Sequence, residues 1–192
     1  KIHPKHLVAA RMKPWYMPHL KQSDVVLDIG CGNGQHTLRV ARLQAPGAPA
    51  RFDMRSISGR LATGGQARGV KRVVGFDIDE RQLAIAKRMA AAEGIKNVHF
   101  EQQSAEDLLT YKSKTFDVVM FFAVLEHLVH RSQILQEIHR VLKPRGLLLL
   151  GVPNEWTSWK FLQRRFGVSH FTDPDHKVEY SRASITEELT RH

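Results

Sequence analysis

Short apolar runs alternate along the chain with segments whose apolar residues recur three and four apart, and this alternation predicts the order of elements. Val25–Ile29, apolar but for Asp28, runs into Gly30-Cys31-Gly32-Asn33-Gly34, after which Thr37, Leu38, Val40, Ala41 and Leu43 follow at helix spacing. A second strand is predicted over Arg72–Asp77, then a helix over 80–93 that Gly94 closes as a C-cap. Third and fourth strands are predicted at 97–101 and 115–121. A helix over about 131–142 is amphipathic through Ile134, Leu135, Ile138, Val141 and Leu142. Residues 142–146, rich in Pro and Gly, are expected to turn into a fifth strand at 147–152, and a last helix to start near Ala183. Strands that are apolar nearly throughout, alternating with helices, predict an α/β fold whose parallel sheet is covered on both faces.

Three segments depart from that rhythm. Residues 1–22 are broken by Pro4, Pro14 and Pro18 and predict a short helix and a loop, with Trp15 and Tyr16 packing against the sheet. Residues 44–69 are dominated by Gly, Pro, Ala and Arg, where a helix-to-strand connection is usually a few residues. They are expected to be a surface insertion, with Arg51, Arg55, Arg60 and Arg68 solvated. Residues 153–182 interleave Trp156, Trp159, Phe161, Leu162 and Phe166 with Lys160, Arg164 and Arg165, an amphipathic insertion after the fifth strand.

Composition narrows the class. At 192 residues the chain is expected to be one domain with a substantial core. No apolar run approaches the ~20 residues of a membrane span, and no apolar stretch of the kind found in signal peptides follows the basic start. Cys31 is the single cysteine, which excludes an intramolecular disulfide and fits a reducing, cytoplasmic setting. The net charge of +10 suits an anionic partner. The basic residues are nevertheless spread out, with no Lys/Arg run interleaved with aromatics to mark an RNA face.

The glycine turn carries the chemistry. Gly30, Gly32 and Gly34 permit positive φ and close approach of a ligand to the backbone. The helix that follows turns its unpaired N–H groups toward the same place. Asp28 lies at the carboxyl end of its strand, where open α/β sheets bind ligands. An acidic residue ending the second strand, Asp77, can accept hydrogen bonds from both hydroxyls of a ribose, and Asp79 is suited to cap the next helix.

The motif Asp28-Ile29-Gly30-Cys31-Gly32-Asn33-Gly34 resembles the first motif of the class I S-adenosylmethionine-dependent methyltransferases, and Gly75-Phe76-Asp77-Ile78-Asp79 resembles their second. Phe116-Asp117-Val118-Val119 is similar to the start of their fourth strand. The resemblance implies a Rossmann-like, doubly wound α/β/α sandwich that binds S-adenosylmethionine and releases S-adenosylhomocysteine. It places Asp28, Gly30, Cys31, Gly32, Asn33 and Gly34 around the cofactor, Asp77 on its ribose and Ile78 beside its adenine. Ser104, Ala105 and Glu106 fall in the adenine loop, with Ser104 where the family usually has Asp. Phe122 falls where the methyl group is transferred. The segment before the first motif often covers the cofactor in this family, so residues 1–22 are also a candidate lid. The family's sheet ends with two more strands, so the chain is expected to be a truncated domain or one without that edge.

Beyond the fourth strand, Glu126, His127 and His176 are the candidate catalytic residues, and Glu126 and His130, four apart, are expected to share a helix face. Glu126-His127 with Asp175-His176-Lys177-Val178-Glu179-Tyr180 resembles the metal-binding pattern of small-RNA 3′-end 2′-O-methyltransferases. Glu126-His127 also resembles the matching pair of ubiquinone-pathway O-methyltransferases. Both families carry a further Glu where this chain has Ala123, so no metal is expected; a metal, if used, would sit on Glu126, His127 and His176. The resemblance implies transfer to an O or N acceptor on a small molecule, lipid or glycan. The alternatives are an RNA methyltransferase and a non-catalytic cofactor-binding protein.

Overall fold

The computed structural model describes residues 14–42, 70–167 and 173–192. Five strands, β1 (Val25–Ile29), β2 (Arg72–Asp77), β3 (Val98–Gln102), β4 (Phe116–Phe122) and β5 (Leu142–Gly151), form one sheet in the order β3-β2-β1-β4-β5. Every pairing among them is parallel. The helices are α1 (Gln35–Ala41), α2 (Glu80–Ala92), α3 (Arg131–Val141), α4 (Ser158–Arg165) and α5 (Arg182–Thr190). This is the doubly wound α/β architecture that the alternation predicts. The expected insertion at 44–69 and its four arginines lie outside the described residues, as do residues 1–13.

Both faces of β1 are covered, which is why its sequence is apolar nearly throughout. Leu27 and Ile29 pack with Phe121 and the α3 residues Ile134, Leu135, Ile138 and Val141. Val26 faces the other layer, with Tyr16, Val40 and Met120. Each large aliphatic buried in this way contributes roughly 1.5–3 kcal/mol. The strand order also fixes where a ligand goes. The chain lays β2 and β3 on one side of β1 and returns to place β4 on the other, which opens a crevice between β1 and β4 at their carboxyl ends.

Residues 142–146 are not the free-standing turn that their Pro and Gly suggest. Leu142 already pairs with Phe116, and the ladder shifts register between Phe116 and Val118. The irregularity is absorbed at Arg145, which has φ 66°, beside a proline that has no N–H to donate. Lys143 Nζ lies 2.8 Å from both carboxylate oxygens of Asp117, and Asp117 Oδ2 accepts the Val25 N–H at 2.9 Å. The acidic residue of Phe-Asp-Val-Val therefore fastens the starts of β1, β4 and β5 together. At the other margin, residues Met17–His19 form a single 3-10 turn, with Tyr16 buried behind it and Trp15 exposed.

Candidate active site

The three glycines of the turn have positive φ for different reasons. A Cβ on Gly30 (φ 68°) would lie 2.2 Å from Val124 Cγ2, and one on Gly34 (φ 78°) would lie 2.9 Å from Ala86 Cβ. A Cβ on Gly32 (φ 52°) would meet nothing within 4 Å among the described residues. Gly30 and Gly34 are packing positions, and Gly32 faces open space at the mouth of the crevice. Asn33 is half-buried beside it. The loop is held by Cys31 N–H donating to Phe76 O at 2.9 Å and Gly34 N–H donating to Cys31 O at 2.9 Å. Burial pushes the Cys31 thiol upward in pKa, so Cys31 is a packed, unreactive side chain.

Two carboxylates stand below and beside this loop. Asp28 is buried and accepts the Thr37 hydroxyl at 2.5 Å, which ties the end of β1 to the first turn of α1. Burial pushes its carboxyl up to about 7, against the opposing pull of the Thr37 hydrogen bond. Asp77 Oδ2 accepts the Gly32 N–H at 2.7 Å and Oδ1 accepts the Asp79 N–H at 2.9 Å, while Asp79 caps α2 by accepting the Arg81 N–H. Each Asp77 oxygen retains a lone pair for a hydroxyl donor. Ile78 next to it is 69 % exposed, an apolar side chain set at the rim. The open face at Gly32, the Asp77 carboxylate and this apolar rim fit a nucleoside carrying a ribose diol.

The loop after β3 is tied across the crevice. Ser104 Oγ accepts the Glu106 N–H at 3.0 Å, and Ala105 packs against the core. The Glu106 carboxylate accepts the Val129 N–H at 2.6 Å and the His130 N–H at 3.0 Å, and lies 3.0 Å from His130 Nδ1. Glu106 thus fastens the loop after β3 to the segment after β4. Contrary to the helical spacing, Glu126 and His130 do not share a helix face. Residues Leu125–His127 form a 3-10 turn, with Glu126 inward, and His130 precedes α3 and faces Glu106. Phe122, at the end of β4, sits within a ring cluster: Tyr16 at 5.1 Å, His36 at 5.5 Å and Trp15 at 5.8 Å between centroids.

The structure brings the three candidate catalytic residues together. Glu126, His127 and His176 each offer a polar atom within 4.8 Å of the others, and the two imidazole rings lie edge to face at 4.7 Å. Glu126 is fully buried, and among the described residues neither carboxylate oxygen has a hydrogen-bond partner. That burial pushes its carboxyl above the usual range. The His176 segment is stitched in place from two sides. Lys177 N–H donates to Glu126 O at 2.7 Å, and Asn154 and Tyr180 form a short parallel bridge beyond β5.

Two further buried charged residues stand behind this cluster: Lys160, from the amphipathic insertion, and Glu179, from the Asp175–Tyr180 segment of the resemblance. Lys160 and Glu179 are both 2 % exposed at the side chain. Lys160 Nζ lies 2.6 Å from Glu179 Oε2 and 2.8 Å from Asn154 O, and Glu179 Oε1 lies 3.4 Å from His176 Nδ1. The signal in the sequence for Glu179 was its place in the Asp175–Tyr180 motif, three residues after His176. Around α4 the apolar side chains Trp156, Phe161, Leu162 and Phe166 are exposed, and the Arg164 guanidinium lies 4.6 Å over the Trp156 ring.

A family model described as a methyltransferase domain matches residues 20–183. The chain belongs to the class I S-adenosylmethionine-dependent methyltransferases. A ubiquinone biosynthesis O-methyltransferase of Pseudomonas syringae pv. tomato is 30% identical to this methyltransferase domain over 129 residues, covering 67% of the chain and 44% of that protein. A 27-O-demethylrifamycin SV methyltransferase of Amycolatopsis mediterranei is 32% identical over 133 residues, covering 69% and 39%. The chain therefore spans less than half the length of either relative. A solved SAM-dependent methyltransferase from Methanosarcina mazei superposes with a TM-score of 0.65 at 22% identity, over 94% of this chain and 84% of that one; at that identity the likeness shows the fold. No described helix is long and apolar enough to cross a membrane.

Proposed function

We propose that this methyltransferase domain moves a methyl group from S-adenosylmethionine to an oxygen of a small-molecule acceptor, with Glu126, His127 and His176 lining the place of transfer. The observation that carries this reading is the cluster those three side chains form next to the carboxyl end of β4. The activities that the two relatives are named for, both methyl transfer and one explicitly to oxygen, support the oxygen acceptor.

When bound, S-adenosylmethionine supplies an electrophilic methyl on a sulfonium, so the protein needs to align an acceptor and accept its proton. The open backbone at Gly32 and the Asp77 carboxylate would hold the nucleoside, and Asn33, Ile78 and the Ser104–Ala105–Glu106 loop would border it. Phe122 and its ring cluster form a wall of the crevice. With the cofactor bound, the unprotonated ring nitrogen of His127 or His176 would take the proton of the acceptor hydroxyl. Positioning supplies most of the acceleration, and a well-placed base adds on the order of 10²–10⁴-fold.

The unpartnered Glu126 carboxylate favours a second reading. One buried carboxylate beside two imidazoles is a donor set that fits a divalent cation. Glu126, His127 and His176 would hold it, and it would supply Lewis acidity that lowers the pKa of the acceptor hydroxyl.

The test begins with calorimetric titration of S-adenosylhomocysteine into the chain and an Asp77→Ala variant. Binding by the parent and at least tenfold weakening in the variant are expected; no binding by the parent overturns the cofactor site. Release of S-adenosylhomocysteine is then followed with catechol, a linear alcohol, benzylamine and a small RNA, with and without Mn²⁺ after EDTA dialysis. Turnover of the hydroxyl compounds is expected. Exclusive turnover of amine or RNA overturns the acceptor class, and Mn²⁺-independent turnover removes the metal reading.

A further inference from the structure

We propose that the buried Lys160–Glu179 pair is a positioning device that sets the tautomer of His176, so that its Nε2 lone pair is presented to the space shared with Glu126 and His127. The inference deepens the reading of His176 as a proton acceptor or ligand and rests on it.

An ammonium is a donor only, and an ionised carboxylate is an acceptor only. Lys160 Nζ takes one Glu179 oxygen at 2.6 Å and the Asn154 carbonyl at 2.8 Å. The other Glu179 oxygen faces His176 Nδ1 at 3.4 Å. A carboxylate facing an imidazole nitrogen requires a proton on that nitrogen, so in the neutral ring the lone pair is left on Nε2. The His176 ring then meets His127 edge to face at 4.7 Å, beside a Glu126 carboxylate that has no hydrogen-bond partner.

A buried ion pair is poor value as a source of stability, because desolvation of two charges offsets most of their attraction. Here the pair sits where it is needed for orientation. It links α4, the segment after β5 and the His176 segment, which is also held by the Asn154–Tyr180 bridge and the Lys177–Glu126 hydrogen bond. Lys160 and Glu179 do not touch the reacting atoms. They act through His176, as a buried carboxylate behind an imidazole fixes ring orientation and tautomer elsewhere.

Glu179→Gln makes the idea sharp. The amide oxygen is the group that can accept from Lys160, which leaves the amide NH2 facing His176 Nδ1. Nδ1 must then accept, and the ring proton moves to Nε2. Histidine labelled with ¹⁵N and long-range ¹H–¹⁵N correlation spectra read this directly, with the His176 signals assigned by their loss in His176→Gln. The expected result is Nδ1–H in the wild-type chain and Nε2–H in Glu179→Gln. Transfer to catechol should fall on the order of 10²–10⁴-fold, with S-adenosylhomocysteine affinity unchanged. An Nε2–H tautomer in the wild type, a ring protonated on both nitrogens, or identical spectra in the two proteins overturns the proposal. If Glu179→Gln does not fold, the wild-type spectrum alone decides. A His176→Gln variant that keeps full catechol turnover overturns the role of His176 in transfer and leaves the tautomer result standing, so the two failures are told apart.

Discussion

The proposed cofactor side and the proposed acceptor side of the crevice are built by opposite methods. On the cofactor side, around Gly30–Gly34 and Asp77, polar groups are matched within a few residues or across one strand pair: Gly32 N–H to Asp77, Asp79 N–H to Asp77, Thr37 to Asp28. On the acceptor side the groups come from distant parts of the chain, and Glu126 is left with both oxygens unmatched in the interior. A ligand that is the same in every turnover can be met by backbone and glycine geometry. A site that must accept protons or coordinate needs polar atoms left unsatisfied, and an unmatched buried polar group costs about 1–3 kcal/mol.

Four experiments break or sharpen that contrast. The largest effect is expected at Asp28, whose carboxyl is raised from 3.8 to about 7. Because the folded pKa is the higher one, its contribution to stability is fully present below the unfolded value and is lost as pH rises through about 7. Asp28→Asn should remove that loss, worth at most about 4 kcal/mol between pH 4 and 7. Urea unfolding at pH 4 and pH 8 reads it, and parallel curves for wild type and variant would contradict the buried, matched carboxyl. Next is Gly30→Ala, where the new Cβ collides with Val124 in a backbone that disfavours any side chain. A loss of roughly 2–4 kcal/mol in denaturant melts is expected.

On the acceptor side the sign reverses. Glu126→Leu removes an unmatched carboxyl and should raise stability by about 1–3 kcal/mol in thermal melts while methyl transfer collapses. A variant that melts lower than wild type would show that the carboxylate has a structural partner. The smallest effect belongs to Gly32→Ala. Open space receives the Cβ, so only the positive φ is penalised, by about 1 kcal/mol. S-adenosylhomocysteine affinity, measured calorimetrically, should nevertheless drop at least tenfold. Stability and binding thus separate at two glycines of the same turn.

The cofactor side is also the part that the sequence makes plain. Gly30-Cys31-Gly32-Asn33-Gly34 after an apolar strand, Asp77 at the end of the next and Asp79 before a helix are local patterns, and local hydrogen bonds realise them. The α3 face is legible for the same reason, since Ile134, Leu135, Ile138 and Val141 repeat at helix spacing and are all buried. What escapes is set by partners far along the chain. Residues 142–146 join β5 because Lys143 meets Asp117 and Leu142 meets Phe116. Glu126 and His130 part company because residues Leu125–His127 make only one 3-10 turn. Lys160, lying among arginines and aromatics, has the signature of a solvated charge until Glu179 is brought against it from 19 positions away.

The place of the glycine turn on the central strand has a consequence for how the protein folds and responds to ligand. β1 has partners on both sides, β2 and β4, and both lie well beyond it in the chain. The turn therefore reaches its binding geometry only after non-local pairing has closed large loops, the slow part of folding for such topologies. If the turn holds the nucleoside as proposed, no partly folded state that lacks either neighbour can do so well. Cofactor binding is then coupled to global rather than local unfolding, and saturating ligand should slow amide exchange across the whole sheet by the same factor, set by the ratio of ligand concentration to its dissociation constant.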